Sequence, residues 1–124
     1  FPMKGVITQK FGNYRHEVLE NVTVKSDGIE ISGRLNALVR SVFNGQVVTV
    51  REIPGANKAV IIKHGNYFTV YSNLNRVFVK SGQAVKSGTK LGICGPAASD
   101  PGHSELYFQI WYNRKKLDPQ PWLK

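Results

Sequence analysis

The sequence predicts an all-β protein of antiparallel sheets joined by hairpin connections. Three observations carry that reading. The apolar segments are short and rich in β-branched and aromatic residues. Twelve glycines and six prolines punctuate them, as turns between strands require. No segment holds a 3.6-residue apolar stripe over three turns. The stretch 35–42 comes nearest, but its β-branched residues and the preceding Gly33 argue against a helix.

Taken in order, Val42-Phe43, Gly45 and Val47-Val48-Thr49-Val50 read as a strand entered through a turn. Val60-Ile61-Ile62, His64-Gly65-Asn66 and Phe68-Thr69-Val70-Tyr71 read as a hairpin, with Gly-Asn supplying the positive φ of a tight turn. Val77-Phe78-Val79, Lys80-Ser81-Gly82-Gln83 and Val85 repeat the device. Gly88 and Gly92 frame a further strand, Leu91-Gly92-Ile93-Cys94. The final strand runs from Leu106 to Tyr112 and alternates. Leu106, Phe108 and Ile110 take one face; Glu105, Tyr107, Gln109 and Trp111 take the other. The 124 residues fit one domain, 1–124, with no linker, repeat or low-complexity tract.

Composition narrows the class. Hydrophobic residues are 41% and charged residues 20% of the chain, a globular balance. The longest apolar run, Ala59-Val60-Ile61-Ile62, is far short of the ~20 residues a membrane-spanning helix needs, so no transmembrane segment is expected. Phe1 does not open a signal peptide, so any targeting segment is trimmed or lies outside this stretch. Cys94 is the only cysteine, which excludes an internal disulfide and a cysteine-based zinc cluster. Seventeen Lys and Arg against eight Asp and Glu leave a net charge of +9, favouring anionic partners. The basic residues are scattered, with only Arg114-Lys115-Lys116 clustered, and no helix-turn-helix or RNA-recognition signature accompanies them. Nucleic acid is not the expected partner.

The residues alone give little chemistry. His16, His64 and His103 are not spaced as metal ligands, and each reads as a surface or turn histidine. There is no Gly-x-Ser-x-Gly, and Cys94 in an apolar strand reads as packed rather than reactive. No glycine-rich loop opens a helix that could cradle phosphate.

Four segments resemble the LytM-type (lysostaphin-like) cell-wall peptidase domains. Phe1-Pro2-Met3-Lys4-Gly5-Val6-Ile7-Thr8 with Phe11-Gly12 is similar to the family's entry. Ser26-Asp27-Gly28-Ile29-Glu30-Ile31 stands where the family carries His-x-Gly-x-Asp. Tyr71-Ser72-Asn73-Leu74, after His64-Gly65, stands where it carries Tyr-x-His-Leu. Glu105-Leu106-Tyr107-Phe108-Gln109-Ile110 stands where it carries His-x-His-Phe-Glu-Ile. The glycine-spaced stretch 79–92 and the ending Leu117-Asp118-Pro119-Gln120-Pro121-Trp122-Leu123 also resemble the family.

The resemblance implies a LytM/lysostaphin-like fold, and also a lost activity. Active members hold zinc at three of these positions, which are Ser26, Glu30 and Tyr107 here, and place two assisting histidines where Asn73 and Glu105 stand. None of the five is histidine, so no catalytic residue, metal or cofactor is expected. What remains is a groove of Ser26, Asp27, Glu30, Tyr71, Asn73, Glu105, Tyr107 and Trp111. Its aromatics suit a peptide or protein partner, suit a sugar ring equally, or merely cover the former metal cavity. The Leu106-Tyr107-Phe108-Gln109-Ile110 strand and the Asp118-Pro119-Gln120-Pro121-Trp122-Leu123 ending resemble EnvC-type activators. That implies an exported, periplasmic domain that switches on a peptidoglycan amidase in cell division. Such relatives often carry an N-terminal coiled coil, which this stretch does not show. The alternatives are a peptidoglycan-binding module and a zinc endopeptidase with substituted ligands.

Overall fold

In a computed structural model, residues 1–15, 23–52, 54, 57–98 and 100–123 are described, with backbone only for 13–15 and 23–26. His16 lies outside the described residues. A ten-stranded sheet dominates, with β1 (Val6–Gln9), β4 (Ile29–Arg34), β11 (His103–Tyr112), β8 (Tyr67–Val77), β7 (Lys58–His64), β6 (Gly45–Glu52) and β9 (Ala84–Val85) lying side by side in that order. Off this path, β10 (Lys90–Cys94) joins β5 (Leu38–Arg40) to the end of β8, and β12 (Lys115–Leu117) pairs with β11. A separate two-stranded ribbon pairs β2 (Gly12–Arg15) with β3 (Thr23–Ser26). Every pairing is antiparallel. The chain is therefore all-β, as its punctuation predicts.

The β7–β8 hairpin turns on Gly65 and Asn66. Gly65 alone takes the left-handed φ, at 65°, so the turn needs only one such residue rather than two. The second predicted hairpin takes a different form. Val77 pairs with Gly92, and Val85 crosses to pair with Gly45 on β6. The segment between β8 and β10 reaches over to β6, where Gly82 N donates to Val47 O at 2.7 Å and Val47 N to Gln83 O at 2.8 Å. Local turn residues marked the bends, but the backbone of a distant strand chose the partner.

The core collects the inward residues of these strands. Ile29, Ile31, Val60, Ile62, Leu106, Phe108 and Ile110 are fully buried, and Cys94 packs among them with its thiol pushed up to about 11 by burial. That makes Cys94 inert at neutral pH, as its apolar strand implies. Strand β8 inverts the expected pattern. Its polar-looking residues Thr69 and Tyr71 are fully buried, while Phe68 and Val70 face outward and are only partly buried. Burial of Thr69 and Tyr71 is tolerated because their oxygens are satisfied. His64 Nε2 lies 2.8 Å from Thr69 Oγ1, and Val42 N donates to Tyr71 Oη at 3.1 Å. Tyr71 also stacks on Phe108 at 5.2 Å between ring centroids. His64 is thus a structural histidine. Its Nδ1 is 2.6 Å from Asn44 O, which can only accept, so Nδ1 carries the proton and Nε2 accepts from Thr69. Burial lowers its pKa and keeps it neutral.

Tyr71→Phe removes the acceptor of the Val42 amide without changing the ring. It should cost about 1 kcal/mol in urea unfolding, whereas Tyr71→Ala, which also leaves a cavity, should cost about 3–5 kcal/mol.

Candidate functional site

The candidate groove is the outward face of β4, β11 and β8. The register places Tyr107 opposite Glu30 on one side and Ser72 on the other, with Glu105 opposite Ser32. Further along, Gln109 lies opposite Val70 and Trp111 opposite Phe68. Since side chains alternate between faces, Glu30, Glu105, Tyr107, Gln109, Trp111, Ser72, Val70 and Phe68 share one surface. Gly28 fixes the approach of β4 to this floor. A Cβ there would collide with the Phe108 carbonyl oxygen and come within 2.8 Å of Gln109 Cγ.

One end of the groove is acidic. Glu30 and Glu105 lie close enough for their carboxyls to share a hydrogen bond, which requires one of them to hold a proton. Burial pushes the Glu30 carboxyl up to about 7, and the charge of Glu105, together with the hydrogen bond that protonated Glu30 can donate to it, adds to the rise. With its amide nitrogen turned to the carboxylate, Gln9 donates to Glu30 Oε1 at 3.0 Å and Oε2 at 3.1 Å. That donation favours the charged form.

The other end is aromatic, about 13 Å away along β11 from Tyr107 to Trp111. Trp111, Phe68, Val70, Ile61, Gln109 and Asn113 line a shallow depression of about 300 Å³. Trp111 Nε1 donates to Gln109 Oε1 at 2.7 Å, which fixes the indole. Lys116 places its ammonium 5.2 Å from the centre of the Trp111 ring and pairs with Asp27 Oδ2 at 2.9 Å. The Arg114-Lys115-Lys116 cluster thus contributes a positioned cation, not only a charged loop.

Not every expected groove residue is free for contact. Tyr71 is a correction: it is fully buried on the core face and cannot anchor a ligand. Asn73 stands at a left-handed φ of 75° and commits its side chain to hydrogen bonds within the protein. Its Nδ2 donates to Glu105 O at 2.7 Å, and its Oδ1 accepts from Asn57 Nδ2 at 2.9 Å. Asp27 is committed to Lys116. Ser26 is placed on β3 opposite Gly12, by backbone only. His103, exposed at the start of β11, bonds Asp100 at 2.8 Å and takes no part in the groove. Phe68, Val70 and Ile61 belong to the floor but were not expected there. No signal in the sequence marks them, because Phe68-Thr69-Val70-Tyr71 alternates acceptably in either facing.

The sequence profile described as Peptidase family M23 matches residues 24–119. The chain belongs to this family. It is 30% identical over 113 residues to the peptidoglycan DD-endopeptidase ShyB of Vibrio cholerae, a match over 90% of this chain and 26% of ShyB. It is 24% identical over 124 residues to the murein hydrolase activator EnvC of Escherichia coli, over 99% of this chain and 28% of EnvC. It therefore spans about a quarter of the length of each. The fold is that of the lysostaphin solution structure, with a TM-score of 0.75 at 21% identity over 94% of this chain and 50% of lysostaphin. The M23 family thus spans both an enzyme and an activator at similar distances from this chain.

A catalytic zinc of the kind the family resemblance implies asks for three nitrogen, sulfur or carboxylate ligands around one point. Among the described residues, no three His, Cys, Asp or Glu side chains come together in that way. The groove offers Glu30 tied to Glu105 and covered by the Gln9 amide, with Tyr107 beside it. This donor set does not fit the ion.

Because Glu30 is raised in the folded protein, the native state binds its proton more tightly than the unfolded chain. Its stability contribution is intact below about pH 4.5 and is lost as pH rises toward about 7. Screening at this half-buried position limits the loss to the order of 1 kcal/mol. Glu30→Gln should therefore raise the melting temperature by about 3–5 °C at pH 8 and leave it unchanged at pH 4, as read by calorimetry. Asn73→Ala should cost about 2–3 kcal/mol in urea unfolding, and Asn73→Gly should cost less because glycine accepts the left-handed φ.

Proposed function

We propose that this is a non-catalytic M23 domain that binds and activates a cell-wall N-acetylmuramyl-L-alanine amidase. The setting would be peptidoglycan remodelling and daughter-cell separation, outside the bacterial cytoplasm. The observation that carries the reading is the acidic end of the groove. Where a zinc peptidase needs histidine and carboxylate ligands, this chain sets Glu30 opposite Tyr107, with Glu105 on the same face of the neighbouring strand and histidine at none of the three positions. The similarity to the activator EnvC over 99% of the chain supports it.

The groove then works as a docking surface. Tyr107 and Trp111 are its aromatic anchors, Phe68 and Val70 its apolar floor, and Glu30 and Glu105 its polar end. Two proline- and glycine-free strands, β8 apart from its Asn73 irregularity and β11, hold these side chains in place before any partner arrives, so little ordering is required on binding. A captured segment of the amidase would stabilise the amidase conformation whose own active site is open. The shift is limited by how much better the domain binds that conformation than the closed one.

Turnover of labelled peptidoglycan by an amidase of the same organism tests this, with and without the domain. The domain alone should release nothing and carry no stoichiometric zinc when purified without chelator, yet it should accelerate the amidase. Tyr107→Ala/Trp111→Ala should lose at least tenfold of that stimulation, since each truncated anchor is worth about 1–2 kcal/mol. Tyr71→Phe should keep it. Metal-dependent cleavage by the domain alone would instead mark it as a peptidase like ShyB. The net charge of +9 favours a second reading, a module that holds anionic wall polymer. Retention on insoluble peptidoglycan with no effect on any amidase would select it.

A further inference from the structure

A second concavity lies away from the groove, where the first four residues fold against the turn between β4 and β5. It has a volume of about 520 Å³, and its lining combines the apolar side chains of Phe1, Leu35 and Leu38 with the cations Lys4, Arg34 and Arg40. Phe1 and Leu35 are each 49% exposed and Leu38 38%, so three of the eight exposed large hydrophobics among the described residues meet here. No carboxylate lines the hollow. The register that sets His103 opposite Arg34 brings Asp100 to this end of the sheet, but Asp100 is bonded to His103 at 2.8 Å.

The walls are fixed rather than loose. Arg40 N donates to Pro2 O at 2.7 Å, Ala37 N to Arg34 O at 3.2 Å, and Ser104 Oγ to Arg34 O at 2.6 Å. Beneath them Met3 is 2% exposed and packs in the core. A rigid hollow that keeps large apolar side chains in water, ringed by one sign of charge, is the form of a binding site rather than of an ordinary surface.

We propose that this hollow docks an acidic segment of a protein partner. A bulky apolar side chain enters between Phe1, Leu35 and Leu38, and flanking carboxylates meet Lys4, Arg34 and Arg40. The apolar walls disfavour phosphate- or sugar-based polymers, which have no group to fill them. Concavity disfavours a lipid surface, which takes up projecting apolar side chains rather than hollows. The site shares no residue with the groove, so it stands whether or not the domain activates an amidase.

Selection of a phage-displayed library of random twelve-residue peptides on the protein tests the proposal. Recovered sequences should carry Asp or Glu beside Leu, Phe or Trp. A synthetic peptide of the recovered sequence, followed by fluorescence anisotropy, should bind at least tenfold more weakly to Lys4→Glu/Arg34→Glu, and more weakly in 0.5 M than in 0.15 M NaCl. Both substituted side chains are exposed, and an unchanged melting temperature will show that the variant folds. The peptide should bind Tyr107→Ala/Trp111→Ala within twofold of the unsubstituted protein, which separates this site from the groove. The proposal is overturned if no peptide is enriched, if the enriched peptides lack acidic residues, or if they bind the charge-reversed variant equally well. Binding to phosphatidylglycerol vesicles that depends on Lys4 and Arg34, with no peptide binding, would equally overturn it in favour of a membrane contact.

Discussion

The facing of strand β8 rests on two hydrogen bonds inside the core, from Thr69 Oγ1 to His64 Nε2 and from the Val42 amide to Tyr71 Oη. Because side chains alternate with a period of two, whichever of Tyr71 or Val70 turns inward decides the position of every neighbour. With Thr69 and Tyr71 inside and satisfied, Phe68, Val70 and Ser72 must face outward beside Trp111, Gln109 and Tyr107. The groove floor is the consequence. His64, outside the groove, is therefore a residue on which the groove depends. It gives Thr69 a partner at a depth where water cannot, and burial holds its ring neutral so that Nε2 can accept.

Asn73 ends this regime. Its left-handed φ resets the alternation, so that Leu74 returns to the core while the Asn73 amide ties the Glu105 carbonyl to the end of β8. The position that the family resemblance marks for an assisting histidine is thus occupied by a residue holding the groove's acidic end in shape. Glu105 is set by that bond and Glu30 by its pairing opposite Tyr107. Two carboxylates placed this way cannot both stay charged at neutral pH without cost.

Charge is distributed unevenly over a chain with a net of +9. Glu30 and Glu105 lie together at one end of the groove, and Lys116, paired with Asp27, covers its aromatic end. The hollow beside β5 carries Lys4, Arg34 and Arg40 among its apolar walls and no carboxylate. The two concavities therefore differ in the sign of the partner each can accept, and long-range attraction by the net charge favours acidic partners at the second.

The all-β class, the β7–β8 hairpin, the inward face of β11 and the loss of histidine from the family's motif positions could all be read from residues. These depend on local rules: turn residues, period-two alternation and the identity of side chains at fixed spacings. The strand partner of Val85, the inward turn of Tyr71, the commitment of Asn73 and Asp27 to other groups and the pairing of Glu30 with Glu105 could not. Phe68-Thr69-Val70-Tyr71 alternates acceptably in either facing by hydrophobicity alone. Only the hydrogen-bond partners brought from His64 and Val42 make the less apolar pair the buried one. The sequence by itself determined which side chains this protein possesses and the local shapes its backbone prefers. Which of them meet, and at what distance and burial, was decided by the tertiary structure, because hydrogen-bond satisfaction and burial depend on groups that are remote along the chain.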